Sequence, residues 1–278
     1  MLLRFTKMHG LGNDFMMVDL ISQRTHISPN TIRVLSDRKT GIGFDQLLTV
    51  KPPDDPNADF RYTVYNADGS EAEQCGNGAR CFMRFVHDQG LTTKSLIRLQ
   101  TTNGPITCQL EKDGTIKVNM GAPLLEPDRI PFVADTAKIL YDLDLGHGQG
   151  NVSLAAVNVG NPHTVISVDD IETAPVSRVG PIVESHDRFP EKVNVGFMQI
   201  LSRTHIKLRV YERGVGETLA CGSGACAAIV AGRLQGLLDE NVEVDLPGGK
   251  LFVAWAGGNK PILMTGPACR IYEGRLQI

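Results

Sequence analysis

Apolar and polar positions alternate in "FRYTVY" (Phe60–Tyr65) and again in "IKLRVY" (Ile206–Tyr211). A period of two predicts strands with one face toward a core. Further strands are expected in pairs, Leu3–His9 with Phe15–Leu20 and Val152–Val159 with Thr164–Val168. Helices are predicted over Pro29–Asp37 and Pro175–Ser185, each with proline near its start; Gly180 and Pro181 weigh against the second. Two more are predicted over Asn77–Asp88 and Ser223–Leu234. The last contains "ACAAIVA", apolar on every side, and "CFMRFV" in the other is nearly so. A helix apolar all round in a water-soluble fold must be wrapped by other elements. Asp113-Gly114 and Gly257-Gly258 predict two-residue hairpin turns. The stretch "AKILYDLDLGHGQGN", Ala137–Asn151, reads as linker and loop.

These elements recur. Val64–Arg80, "VYNADGSEAEQCGNGAR", overlays Val210–Cys226, "VYERGVGETLACGSGAC", without a gap at an offset of 146. Seven of those seventeen positions are identical, among them the cysteine and both glycines after it. "GLGNDF" around Asn13 matches "NVGNPH" around Asn161 at an offset of 148, and the segments from Gly104 and Gly249 match at 145. A nearly constant offset over three separated blocks means duplication. The expected fold is α+β: two pseudo-symmetric lobes, each a curved, mainly antiparallel sheet wrapped around a central helix. The lobe boundary falls near residue 121, with Cys75 in the first lobe and Cys221 in the second.

Composition narrows the class. Of 278 residues 42% are hydrophobic and 21% charged, as in ordinary globular proteins. A formal net charge of -3 favours neither nucleic acid nor an anionic membrane as partner. No apolar run approaches the ~18 residues of a membrane span. The start "MLLRFTKMHG" lacks the features of a secretory signal, so the six cysteines are expected reduced, in a cytoplasmic protein. None is spaced C-x-x-C, so no metal site is expected. Cys81, Cys108, Cys226 and Cys269 read as small buried residues.

Cys75 and Cys221 differ because each stands before a glycine turn and a helix start. A helix N-terminus presents unpaired N–H groups and partial positive charge, binds carboxylates and lowers a nearby thiol pKa. Thiolate, amide donors and dipole together suit removal of a proton beside a carboxylate. Two such starts on either side of one carbon would invert a stereocentre, one thiolate taking a proton and one thiol returning it. Such chemistry needs neither pyridoxal phosphate nor metal. Other readings remain open on these residues: an acyl-enzyme built on one Cys with His163, a Cys75–Cys221 disulfide in a redox or binding protein, or another two-cysteine racemase of the proline type.

At these motifs the sequence resembles the diaminopimelate epimerases. "NADGSEAEQCGNGAR" fits that family's first active-site signature, and "GNPH", "VNVGF" and "ERGVGETLACGSGA" match its later motifs. The resemblance spans the chain. It implies cofactor-independent inversion of LL-2,6-diaminopimelate to the meso form, in lysine synthesis. It implies lobes of residues 1–121 with 266–278 returning, and 122–265. Cys75 and Cys221 would be the acid/base pair, with His163 and Glu212 close to the thiols. The N–H groups of Gly76, Asn77, Gly222 and Ser223 would hold the reacting carboxylate. Asn13, Gln46, Asn66, Asn161 and Asn194 would line the substrate site. Arg213 would pair with the distal carboxylate, a role that suits a bidentate cation. Tyr272 matches a residue of dimer contacts, so a homodimer is expected, with a small molecule as the substrate.

Overall fold

A computed structural model describes residues 2–72, 76–102, 104–146 and 148–278. Cys75, the first of the two singled-out thiols, lies outside the described residues. The chain divides into two compact units: residues 1–119 with 265–278, and residues 120–264.

In the first unit, strand Leu2–Gly10 lies between Cys269–Gln277 and Asn13–Asp19, antiparallel to both. Asn13–Asp19 runs parallel to Gln46–Lys51, which is antiparallel to Phe60–Asn66. Leu96–Thr101, Gly104–Leu110 and Ile116–Asn119 continue the sheet. Helix α1 (Pro29–Ser36) is capped by Ser28, whose side chain accepts from the Thr31 N–H, and has proline in its first turn. Helix α2 (Gly76–Asp88) packs against five of these strands. Ile32 and Leu35 of α1 form a separate layer with Leu3, Phe5, Met16, Val18, Phe44 and Leu47. A helix on each side is why residues 15–19 are buried without alternation.

The second unit repeats the plan. Tyr141–Asp144, Asn151–Asn158 and Pro162–Ser167 are successive antiparallel strands. Pro162–Ser167 runs parallel to Asn194–Ser202, which pairs antiparallel with His205–Glu212. Asn241–Leu246 and Gly249–Ala254 form the next hairpin. Helix α3 (Val176–Glu184) buries Val176, Val179 and Val183 against Phe132, Tyr141, Phe189 and Phe197. Helix α4 (Gly222–Leu234) is buried almost along its whole length. The registers coincide as well: Leu47 faces Tyr65 in one unit, and Val195 faces Tyr211 in the other.

Four expectations are corrected. Tyr141–Asp144 is a strand, not linker: it pairs with Asn151–Leu154 and buries Tyr141 and Leu143. The hairpin turns fall elsewhere. Leu110 faces Ile116 across a five-residue loop that contains Asp113-Gly114, whereas Leu246 and Gly249 close a two-residue turn at Pro247-Gly248. Gly180 and Pro181 do not break α3. A Cβ on Gly180 would come 2.6 Å from the Tyr211 ring, so glycine is needed there for close packing. Pro181 deprives only the Ser177 carbonyl of a partner, and Ser177 is exposed. Finally, Cys269 is exposed, whereas Cys81, Cys108 and Cys226 are buried. Among the described residues no helix is long and apolar enough to cross a membrane.

Candidate active site

Cys221 is the N-cap of α4. Its φ and ψ of -117° and 105° are extended, and its carbonyl accepts the first helical bond, from Ala225 at 3.0 Å. The sulfur lies 3.6 Å from the Ser223 hydroxyl. Glycine at 224 makes room for it, since a Cβ there would come 3.2 Å from the Cys221 Sγ and 3.0 Å from Val210. The thiol is free and only 4% exposed.

That burial changes its chemistry. Desolvation pushes the Cys221 thiol well above its ordinary pKa, and the Glu212 carboxylate beside it adds to the effect. The Ser223 hydroxyl and the Gly224 N–H pull the other way without winning. The expected helix-start effect is therefore present but outweighed, and Cys221 holds its proton at neutral pH.

The second unit brings Asn161, His163, Glu212 and Ser223 toward this thiol and sets Asn194 beside Arg213. His163 is 1% exposed, and its Nε2 lies 2.9 Å from Asn161 Oδ1 and 2.9 Å from Ser223 Oγ. Burial and then the nearby Arg213 charge lower the His163 pKa to about 3, so the ring is neutral. Asn194 donates from Nδ2 to the Pro162 carbonyl at 2.9 Å and accepts the Arg213 N–H at 3.0 Å. Glu212 accepts from the Thr218 hydroxyl at 2.5 Å. Gly222 opens α4.

In the first unit Gly76 and Asn77 open α2, both buried. Asn77 donates to Asn13 Oδ1 at 3.4 Å. Asn13 in turn donates to Asp45 Oδ2 at 3.0 Å. The next residue, Gln46, faces Asn66 across the antiparallel pair and donates to its Oδ1 at 3.1 Å. Asn66 also donates to Ser70 at 3.2 Å, within the Asp68–Ser70 turn that has Gly69 at φ 86°. Thus the pairs Asn13–Asn77 and Gln46–Asn66 form a polar seam, joined through Asp45 and its neighbour Gln46.

Sequence reasoning missed the residues that hold this seam. Asp45 is fixed by Arg38 at 2.7 Å, and Arg38 also grips Asp14 through both Nη atoms at 3.0 and 2.8 Å. Lys7, 5% exposed, lies 2.5 Å from Asp14. Asp45 directly precedes Gln46 in "GFDQ", a proximity that could have flagged it. Nothing in the local pattern marks Lys7, which sits in the strand Leu2–Gly10 beside other polar residues, Arg4, Thr6 and His9.

By fold the chain resembles the hydroxyproline epimerase of Agrobacterium vitis, with a TM-score of 0.70 over 99% of this chain and 92% of that one, at 14% identity. Likeness at that distance concerns the architecture: two like units, each a sheet around one helix. Sequence relationship goes further. The family model described as diaminopimelate epimerase matches residues 5–125 and 155–271. The chain is 58% identical to the diaminopimelate epimerase of Ectopseudomonas mendocina strain ymp and 56% identical to that of Pseudomonas aeruginosa strain LESB58, in each case over all of both chains. The chain belongs to the diaminopimelate epimerase family.

Proposed function

We propose that the chain carries out its family's reaction, epimerisation of LL-2,6-diaminopimelate to the meso isomer in lysine biosynthesis, by a two-base mechanism with paired cysteines. The observation that carries this reading is the buried Cys221 thiol at the N-cap of α4, set among Asn161, His163, Glu212 and Ser223.

In one direction Cys75 is the base and Cys221 the acid. The thiolate of Cys75 takes the α-proton, and the electron pair left on carbon spreads into the neighbouring carboxylate. The Cys221 thiol then gives its proton to the opposite face. Roles exchange in the reverse direction. The growing carboxylate charge is met by the amides of Gly76, Asn77, Gly222 and Ser223. The thiols and amides supply this chemistry without a cofactor or metal.

Neutral Asn13, Gln46, Asn66, Asn161 and Asn194 offer donors and acceptors to the substrate's polar groups without a competing charge. Arg213 takes the distal carboxylate and so fixes one end of a substrate with two identical ends. Glu212 and His163 act on the Cys221 thiol: Glu212 keeps it protonated, and neutral His163 orients Ser223. The site takes a small molecule, not nucleic acid or membrane. The working state is a cytoplasmic homodimer. Supporting the dimer, strand Cys269–Gln277 leaves Ile271 52% and Tyr272 44% exposed.

The test is proton NMR of the reduced enzyme with LL-diaminopimelate in D2O. Loss of the α-proton signal together with appearance of the meso isomer is expected. Folded, reduced protein giving neither would refute the assignment.

A further inference from the structure

Glu184 is an acid in an unfavourable place. It is the last residue of α3 and only 8% exposed. A carboxylate at a helix C-terminus faces the negative end of the dipole, where cations are favoured. The last turn of α3 has no basic residue. Burial adds a desolvation cost.

Its contacts explain why it is there. Glu184 Oε1 accepts the Gly214 N–H at 2.7 Å. The preceding amide, that of Arg213, is taken by Asn194 Oδ1 at 3.0 Å. Two successive N–H groups of the turn bearing Arg213 are therefore each held by a side-chain oxygen from another element. Arg213 Nη1 also donates to the Glu191 carbonyl at 3.1 Å. The segment after α3 is tied to the same acid. The Val193 N–H reaches the Glu184 carbonyl at 3.2 Å. Lys192, in the left-handed region at φ 61°, brings its Nζ to 3.8 Å from Glu184 Oε1. An unfavourable helix end, a buried acid and a left-handed lysine thus converge on one short turn.

We infer that Glu184 is a positioning residue: by holding the Gly214 amide it sets the Arg213 side chain for the substrate's distal carboxylate. The inference rests on the proposed role of Arg213. A planar guanidinium binds a carboxylate bidentately only when its orientation is fixed. A misplacement of about 1 Å can cost ~100-fold.

The test is steady-state kinetics with LL-diaminopimelate for Glu184→Ala, Glu184→Asp, Glu184→Gln, Arg213→Ala and the Glu184→Ala/Arg213→Ala double variant. Aspartate keeps the charge but is too short to reach Gly214. Glutamine loses the charge but keeps an oxygen acceptor at the same reach. Glu184→Ala and Glu184→Asp should raise KM by about 10-fold or more, with kcat changed much less. Glu184→Gln should stay close to wild type, and the double variant should match Arg213→Ala alone. If Glu184→Ala does not fold, the aspartate and glutamine pair decides. Unchanged KM in Glu184→Asp beside a raised KM in Arg213→Ala would overturn the inference and leave the site reading intact. Unchanged KM in Arg213→Ala would overturn the site reading, and the inference with it. A further loss when Glu184→Ala is added to Arg213→Ala would also overturn it, because Glu184 would then act by another route.

Discussion

His163 Nε2 and Ser223 Oγ lie 2.9 Å apart, and the Ser223 hydroxyl is 3.6 Å from the Cys221 sulfur. An imidazole separated from a thiol by one hydroxyl invites the role of general base. Its burial argues otherwise: at a pKa of about 3 the ring has little affinity for a proton. It orients the hydroxyl that faces the sulfur.

The same burial makes a pH prediction. His163 has an ordinary value of 6.5 and a folded value of about 3, so between those limits the unfolded chain binds the extra proton. Its contribution to stability is fully present above the upper limit and is lost as pH falls toward the lower, at up to about 1.4 kcal/mol per pH unit. Urea unfolding at pH 7 and pH 5 should show a larger acid loss for wild type than for His163→Gln. Equal losses would mean that the ring titrates normally in the fold.

Inversion needs a proton donor or acceptor on each face of the carbon. Cys75→Ser and Cys221→Ser should each lower epimerisation by at least about 100-fold, in line with removal of a general acid or base. The fold should survive, since serine is nearly isosteric. Either variant turning over at near the wild-type rate, measured by formation of meso isomer, would exclude the two-base account.

Gly224 is helical and could accept alanine on propensity alone. The structure opposes this, because the added carbon would sit 3.0 Å from Val210 and 3.2 Å from the Cys221 Sγ. Gly224→Ala should therefore lose about 1–2 kcal/mol of stability despite its better helix propensity, and move the sulfur. A fall in kcat with folded protein is expected. Unchanged activity and stability would show that the pocket gives way.

Lys7 and Asp14 form a shielded ion pair, with side chains 7% and 14% exposed. Asp14→Ala would leave Lys7 buried without its carboxylate, a loss of about 3–5 kcal/mol, read by urea denaturation. A loss below about 1 kcal/mol would mean that Lys7 finds water. Burial alone would raise the Asp14 pKa, but hydrogen bonds from Arg38 and Lys7 outweigh it and hold the carboxyl well below its ordinary value of 3.8. Its stabilisation is present above that value and is lost as the pH falls below it.

Much of the architecture could be read along the chain because duplication prints each signal twice. The alternating "FRYTVY" and "IKLRVY" became the strands Phe60–Asn66 and His205–Glu212. The apolar "ACAAIVA" became the buried α4. Tyr141–Asp144 was missed because a four-residue strand owes its existence to its partner, Asn151–Leu154, and three glycines at positive φ lie in the connecting loop. Asn161, His163, Cys221 and Ser223, which hydrogen bonds and close contact join, all stood in the quoted motifs. Glu184 and Asp45 were not legible: Glu184 meets Gly214, and Asp45 meets Asn13, only after elements distant in sequence have packed.

The sequence alone determined that Cys221 stands before a helix start, because that follows from local pattern and repetition. Only the tertiary structure decided the state of Cys221. A thiol's proton affinity is the balance of everything packed around it, and here burial and Glu212 outweigh the helix start that the sequence had led one to weigh most heavily.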